Sequence, residues 1–168
     1  IYDFSGSKSF TALVLVEYRD TSTNYAMGTD NNDGWFIGAN AATNYVSGKL
    51  DDGFTAENVN GTGPTAVNGV SQMFSIAMTW DAVSNTIAAN VNGVLDSTRT
   101  GSSVGDMTVD ALHIGTMSNS ASFCNMLLWD ARIYDRVPAY DEFRQYHADP
   151  LADLRFVERY FMPVAAVG

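Results

Sequence analysis

The sequence predicts an all-β sandwich, and three observations carry that prediction. Short segments alternate apolar and polar residues, turn signals separate them at regular intervals, and only one segment has helical periodicity. In residues 10–18, Phe10, Ala12, Val14 and Val16 occupy one set of alternating positions while Leu13 and Leu15 occupy the other, as expected of a central strand covered on both faces. In residues 74–81 the alternation is cleaner: Phe74, Ile76, Met78 and Trp80 share one face, and Ser75, Ala77, Thr79 and Asp81 the other. A polar turn at Ser84-Asn85 leads to a strand carrying Ile87, Ala89 and Val91. Asn92-Gly93 follows, the dipeptide suited to the positive φ angles of a two-residue hairpin, and Val94-Leu95 opens the return strand.

Shorter strands are expected at 1–4, 25–28, 35–38, 45–50, 107–115 and 123–134, parted by Asn32-Asp33-Gly34, Asp52-Gly53 and Asn60-Gly61. Residues 58–69, with three glycines and Pro64, read as a long exposed loop. The helix is expected over 139–148, where Tyr140, Phe143, Tyr146 and His147 recur at three- and four-residue spacing. Pro138 precedes it, Pro150 stops it, and Asp141 and Glu142 sit in the first turn, where the helix dipole favours acid.

A chain of 168 residues is about one domain's worth. Residues 1–150 are expected to form that domain, helix included, and 151–168 a tail packed on it or on a neighbouring subunit. Nine basic against 19 acidic residues leave a net charge of −10, which excludes a phosphate-neutralising face and so nucleic-acid binding or adsorption to anionic membrane. No apolar run approaches the roughly 18 residues of a membrane span. The single cysteine, Cys124, has no intramolecular disulfide partner and reads as a small packing residue.

Residues Asp130-Ala131-Arg132-Ile133-Tyr134-Asp135-Arg136, followed by Glu142-Phe143 and Tyr146, resemble the closing signature of laminin-G-like, concanavalin A-like jelly-roll domains. Residues 74–80, 87–91 and Asn92-Gly93-Val94 are similar to that family's strand and hairpin, and Leu112-His113-Ile114-Gly115 to its later apolar-x-Ile-Gly strand. Together these cover most of 10–150. The chain departs from the family at Phe123-Cys124-Asn125-Met126, which lacks the usual glycine, and at Pro138-Ala139, where the family often has Leu-Ser. The tail from His147 resembles tails of jelly-roll proteins encoded by phages and prophages. The resemblance implies a two-sheet antiparallel jelly-roll β-sandwich with one short C-terminal helix, of the kind used in modules that bind sugars, proteins or surfaces, with glycosidases among the wider relatives.

Glycoside hydrolysis needs two carboxyl groups about 5 to 9.5 Å apart, placed in a sandwich at i and i+2 or i+4 of a strand. The four glutamates, Glu17, Glu57, Glu142 and Glu158, have no acidic residue at either spacing, so no catalytic pair is assigned. His113 and His147, the only imidazoles, have no metal-ligand or nucleophile spacing. The family often holds calcium through loop oxygens, and Asp30, Asn32, Asp33, Asp51 and Asp52 are the candidate ligands; the same residues serve as ordinary turn formers. Trp35, Tyr25 and Tyr45 lie beside loops and are the candidate sugar-stacking residues, with packing the competing role for Trp35, whereas Trp80 and Trp129 read as core. Leu154, Phe156, Tyr160 and Phe161 make the tail too apolar to dangle and are candidate subunit contacts. The expected function is a non-catalytic surface-interaction module, a structural or decoration protein of a phage-like particle; the alternative is a carbohydrate-binding, lectin-like adhesion module. Either places the protein outside the cell or on a virion surface, with neighbouring subunits or glycans as partners.

Overall fold

The computed structural model describes residues 6–18, 24–29, 34–40, 45–53, 56–64, 72–101, 103–107, 111–115 and 126–150. In chain order these form β1 (Phe10–Tyr18), β2 (Asn24–Gly28), β3 (Gly34–Asn40), β4 (Tyr45–Asp51), β5 (Ala56–Pro64), β6 (Gln72–Asp81), β7 (Thr86–Val91), β8 (Val94–Thr100), β9 (His113–Ile114), β10 (Met126–Tyr134) and α1 (Tyr140–Ala148). The strands build two five-stranded sheets, β10-β1-β6-β7-β8 and β5-β4-β3-β2-β9, with antiparallel pairing throughout.

The alternation read from the sequence sets the layers. Phe10, Ala12, Val14 and Val16 of β1 and Phe74, Ile76, Met78 and Trp80 of β6 face the second sheet, where they meet Met27, Trp35, Ile37 and Leu50. Trp80 completes its burial by donating its indole N–H to the Gly6 carbonyl at 2.9 Å. On the other face of the first sheet, Leu13, Leu15 and Ala77 form a second, smaller core with Phe143 and Tyr146 of α1. β1 is thus covered on both faces, one by a sheet and one by a helix.

The 130–136 signature is the fastening of that helix. Asp130 accepts hydrogen bonds from Arg132 Nε at 2.6 Å and from the Tyr146 hydroxyl at 3.0 Å. The Arg132 guanidinium lies 4.8 Å from the Tyr146 ring centroid and also donates to the Pro150 carbonyl at 2.7 Å. Burial, with Asp130 alongside, pushes the Tyr146 phenol well above its ordinary pKa, so it stays a donor. At the other end Glu142 reaches back to the Ala139 N–H at 2.7 Å, and the Arg136 guanidinium grips both oxygens of the same carboxylate. The Thr11 hydroxyl donates to the Arg136 carbonyl at 2.9 Å, tying the lead-in to β1.

The hairpin at Asn92-Gly93 has φ of 53° and 75°, as the dipeptide requires. Asn92 is also cross-linked to β6: its N–H donates to the Ser75 carbonyl at 2.7 Å, and its side-chain oxygen accepts from the Ser75 N–H at 3.2 Å. A Cβ on Gly93 would stand 2.8 Å from the Cα of Arg144, so the turn passes directly beneath the helix backbone.

Three expectations are corrected. Residues 58–69 do not begin as an exposed loop: Ala56–Pro64 is an edge strand on β4, held by backbone pairing from Asp51↔Ala56 to Tyr45↔Pro64, with Val59 buried in the core. The strand expected over 107–115 is reduced, among the described residues, to His113–Ile114 against β2. Trp129 is not core but 56 % exposed. Leu15 pairs with Asp130 and Val16 with Leu128, so Trp129 is the extra residue of a β-bulge; past it the alternation slips, and Leu128 and Ala131 face inward while Trp129 is left outside. The strand expected over 1–4 and Cys124 lie outside the described residues.

Two outcomes follow. Gly93→Val forces a β-branched residue to positive φ under a helix and is expected to cost at least about 2 kcal/mol, lowering Tm by about 4 to 8 °C; an unchanged melt would show the turn to be misplaced. Glu142, held down to about 2 by Arg136 and then by the Ala139 N–H, has a depressed folded-state pKa. Its contribution is therefore complete above the ordinary value of 4.5 and lost as pH falls from there towards 2. Melting curves across that window should fall more steeply for the wild type than for Glu142→Gln, and parallel curves would contradict the assignment.

Candidate functional site

Among the surface features of the described residues, one combines shape with varied chemistry: a groove of about 250 Å³ on the outer face of the first sheet, beside α1. Its floor follows from strand alternation. Ile87 and Ala89 point into the core, so Thr86, Ala88 and Asn90 point out, and pairing places Ala88 between Thr79 of β6 and Thr98 of β8. Small side chains at these positions leave the sheet surface low. The wall is the lead-in to the helix, Val137 and Pro138, continued by Tyr140 and Phe143, and Leu95 of β8 also lines the groove. Tyr140 is 46 % exposed and Val137 and Leu95 are similarly open, whereas Phe143 is anchored in the small core below.

The wall is held rigidly because its flanking residues are fastened: Arg136 by Thr11 and Glu142, and Ala139 by Glu142. Asp81 closes one end. Its carboxylate accepts from the Ser84 hydroxyl at 2.7 Å and the Val83 N–H at 3.0 Å, and the Ser84 bond is the main reason its pKa lies below the ordinary carboxylate value. The groove thus offers hydroxyl and amide groups from Thr79, Thr86, Asn90 and Thr98, an apolar and aromatic bank, and one fixed negative charge. At about 250 Å³ it is smaller than the roughly 300–1,000 Å³ of pockets for drug-sized ligands and has room for one sugar ring or one side-chain-sized group.

The residues singled out from the sequence lie elsewhere. Trp35 is wholly buried, its ring 5.5 Å from that of Phe10, so it has no face to offer a sugar; that assignment is corrected. Tyr25 is partly exposed and packs edge-to-face on Phe36 at 5.0 Å in the second sheet. Tyr45 begins β4 opposite Asn40, and its side chain lies outside the described residues, as do Asp30, Asn32 and Asp33. Asp51 accepts from the Gly53 N–H at 2.9 Å and pairs with Lys49 at 2.7 Å, while Asp52 accepts from the Gly105 N–H at 2.6 Å. Both carboxylates brace turns, and among the described residues no three His, Cys, Asp or Glu side chains gather into a cation site. His147 shares a hydrogen bond with Ser75 at 3.0 Å, and Glu17 stands between Met73 and Leu127. The tail residues Leu154, Phe156, Tyr160 and Phe161 lie outside the described residues.

No protein-family model and no curated protein matches the sequence. Solved structures do match the fold. A carbohydrate-binding module (CBM40) of the Ruminococcus gnavus IT-sialidase, bound to alpha2,6 sialyllactose, is similar with a TM-score of 0.65, at 17 % identity over 82 % of this chain and 82 % of that one. The botulinum neurotoxin serotype G binding domain is similar with a TM-score of 0.70, at 14 % identity over 90 % of this chain. The chain spans only 38 % of that domain's length. A heptameric SAP-like pentraxin from Limulus polyphemus is similar with a TM-score of 0.64, at 12 % identity over 84 % of this chain and 70 % of that one.

The chain is a jelly-roll β-sandwich. It shares this architecture with the sialidase module, the neurotoxin binding domain and the pentraxin, and at these identities the likeness concerns the fold. No helix among the described residues is long and apolar enough to cross a membrane. The groove residues were not singled out in the sequence. The signal available was the run of small, hydroxyl-bearing residues at outward positions of β6, β7 and β8, but nothing local indicated that Tyr140 and Val137 would stand beside them.

Proposed function

We propose that the protein is a non-catalytic carbohydrate-binding module, acting outside the cell or on a surface, that holds one sugar ring in the groove between the outer face of β6–β8 and the lead-in to α1. The observation that carries this reading is the pairing of a polar floor with an exposed aromatic bank. Thr79, Thr86, Asn90 and Thr98 supply the hydroxyl and amide groups that sugar hydroxyls seek, and Tyr140 and Val137 supply an apolar surface for the C–H face of the ring. The architecture supports it, since the sialidase module of similar fold carries sialyllactose.

A second reading, attachment to neighbouring subunits of a surface assembly such as a virus particle, is favoured by a separate feature. Glu17 of β1 has Leu127 of β10 on one side and Met73 of β6 on the other, both exposed, and the bulge thrusts Trp129 outward beside them. That patch lies on and beside β10, the edge strand of the first sheet among the described residues, and sheet edges are where a partner strand can add.

Screening the protein against an immobilised panel of glycans tests the first reading. Binding is expected, and Tyr140→Ala should weaken it about fivefold, the loss of roughly 1 kcal/mol of aromatic contact. Binding that is indifferent to Tyr140→Ala, or none across the panel, would refute the site.

A further inference from the structure

The charge distribution around the groove narrows its ligand. Among the described residues that line it there is no Lys, Arg or His, and the single charged group is Asp81. Its carboxylate is kept ionised by the Ser84 hydroxyl and the Val83 N–H, and both bonds also hold it in position at the end of the groove. Arg136, next to Val137 at the start of the wall, is paired with Glu142. The N-terminus of α1 would ordinarily draw an anion towards this wall, but that role is already filled. Glu142 folds back onto the Ala139 N–H, the Glu142 N–H donates to the Ala139 carbonyl, and Asp141 adds a second acid to the first turn. A space of about 250 Å³ keeps any occupant within the roughly 8 to 10 Å over which salt leaves charges unscreened, so a ligand carboxylate would face Asp81 with no cation among the described residues that line the groove.

We infer that the groove selects an uncharged sugar ring and rejects carboxylated sugars, the sialic and uronic acids, with Asp81 setting the preference. This rests on the carbohydrate-binding reading, and it separates the protein from the sialidase module of similar fold, which holds a sialylated ligand. The floor suits such a ligand: hydroxyl and amide groups bond neutral hydroxyls without demanding charge, and Ala88 between Thr79 and Thr98 leaves room for the ring to lie flat.

The test is a matched pair: glucose with glucuronic acid and galactose with galacturonic acid, which differ at C6 alone, titrated into the whole chain and followed by chemical-shift changes at Thr98 and Tyr140. The neutral member is expected to bind at least about tenfold more tightly at low salt, with the ratio shrinking towards unity at about 1 M salt as the repulsion is screened. Asp81→Asn, which keeps one acceptor oxygen for the Val83 N–H and turns an amide donor towards the Ser84 hydroxyl oxygen, should narrow the ratio at low salt by raising affinity for the acid. The salt dependence of the wild-type ratio gives the same information if that variant does not fold. A uronic acid bound as tightly as its neutral partner would overturn the charge selection while leaving the carbohydrate-binding reading in place. No shift with either member would overturn both.

Discussion

The outer face of β1 cannot be left to water. Leu13 and Leu15, with Ala77 beside them on β6, form an apolar strip on the side of the first sheet that faces away from the sandwich, and α1 covers it with Phe143 and Tyr146. Burying each such side chain contributes roughly 1.5 to 3 kcal/mol, enough to hold a nine-residue helix that would be marginal alone. Polar contacts then fix where it lies. Asp130 and Arg132 hold the helix through Tyr146, and Arg136 with Glu142 holds its beginning. The Gly93 turn lets β7 and β8 pass under it without a collision. What resembles a family signature in one dimension is, in three, the clamp that closes one flank of the sandwich.

The groove is a consequence of how far that clamp reaches. The helix covers β1, the Ser75–Ala77 stretch of β6 and the turn at Gly93, and beyond it the outer face of the sheet stays open at Thr86, Ala88 and Thr98. A surface built this way is stiff, because its floor is a sheet and its wall is tied to β1 through Thr11. Loops are the usual place for recognition residues on a sandwich. Here Asp51, the last residue of β4, braces the turn at Gly53, Asp52 reaches across to the 103–107 segment, and Trp35 belongs to the interior.

Strand alternation is a local property, and wherever it was regular the sequence was legible. β1, β6, β7 and the Asn92-Gly93 hairpin stand where periodicity and turn chemistry placed them, and the helix differs by one residue, Ala139, which sits at the N-cap. The resemblance to jelly-roll domains led to the right architecture for the same reason: it rests on the order of strands, turn and helix. Legibility failed where pairing was decided by a partner strand and not by the segment itself. β5 has Val59 in the core and is a strand because β4 offers it a hydrogen-bonding edge. Trp129 is itself the extra residue of a slip in register that no pattern within β10 reveals, and that slip leaves it outside where the alternation of Ala131 and Ile133 would turn it inward.

By itself, then, the sequence determined the all-β class, the two-sided burial of β1, the hairpin, the terminal helix and the net acidity. Each of these depends on neighbours close along the chain or on composition, and so survives without coordinates. The tertiary structure decided which face of the first sheet the helix covers and where its coverage ends. It also decided that Asp81, Thr98 and Tyr140, from β6, β8 and α1, share one groove. Such meetings depend on contacts between residues tens of positions apart, set by which surfaces can be buried together, and no periodicity encodes them.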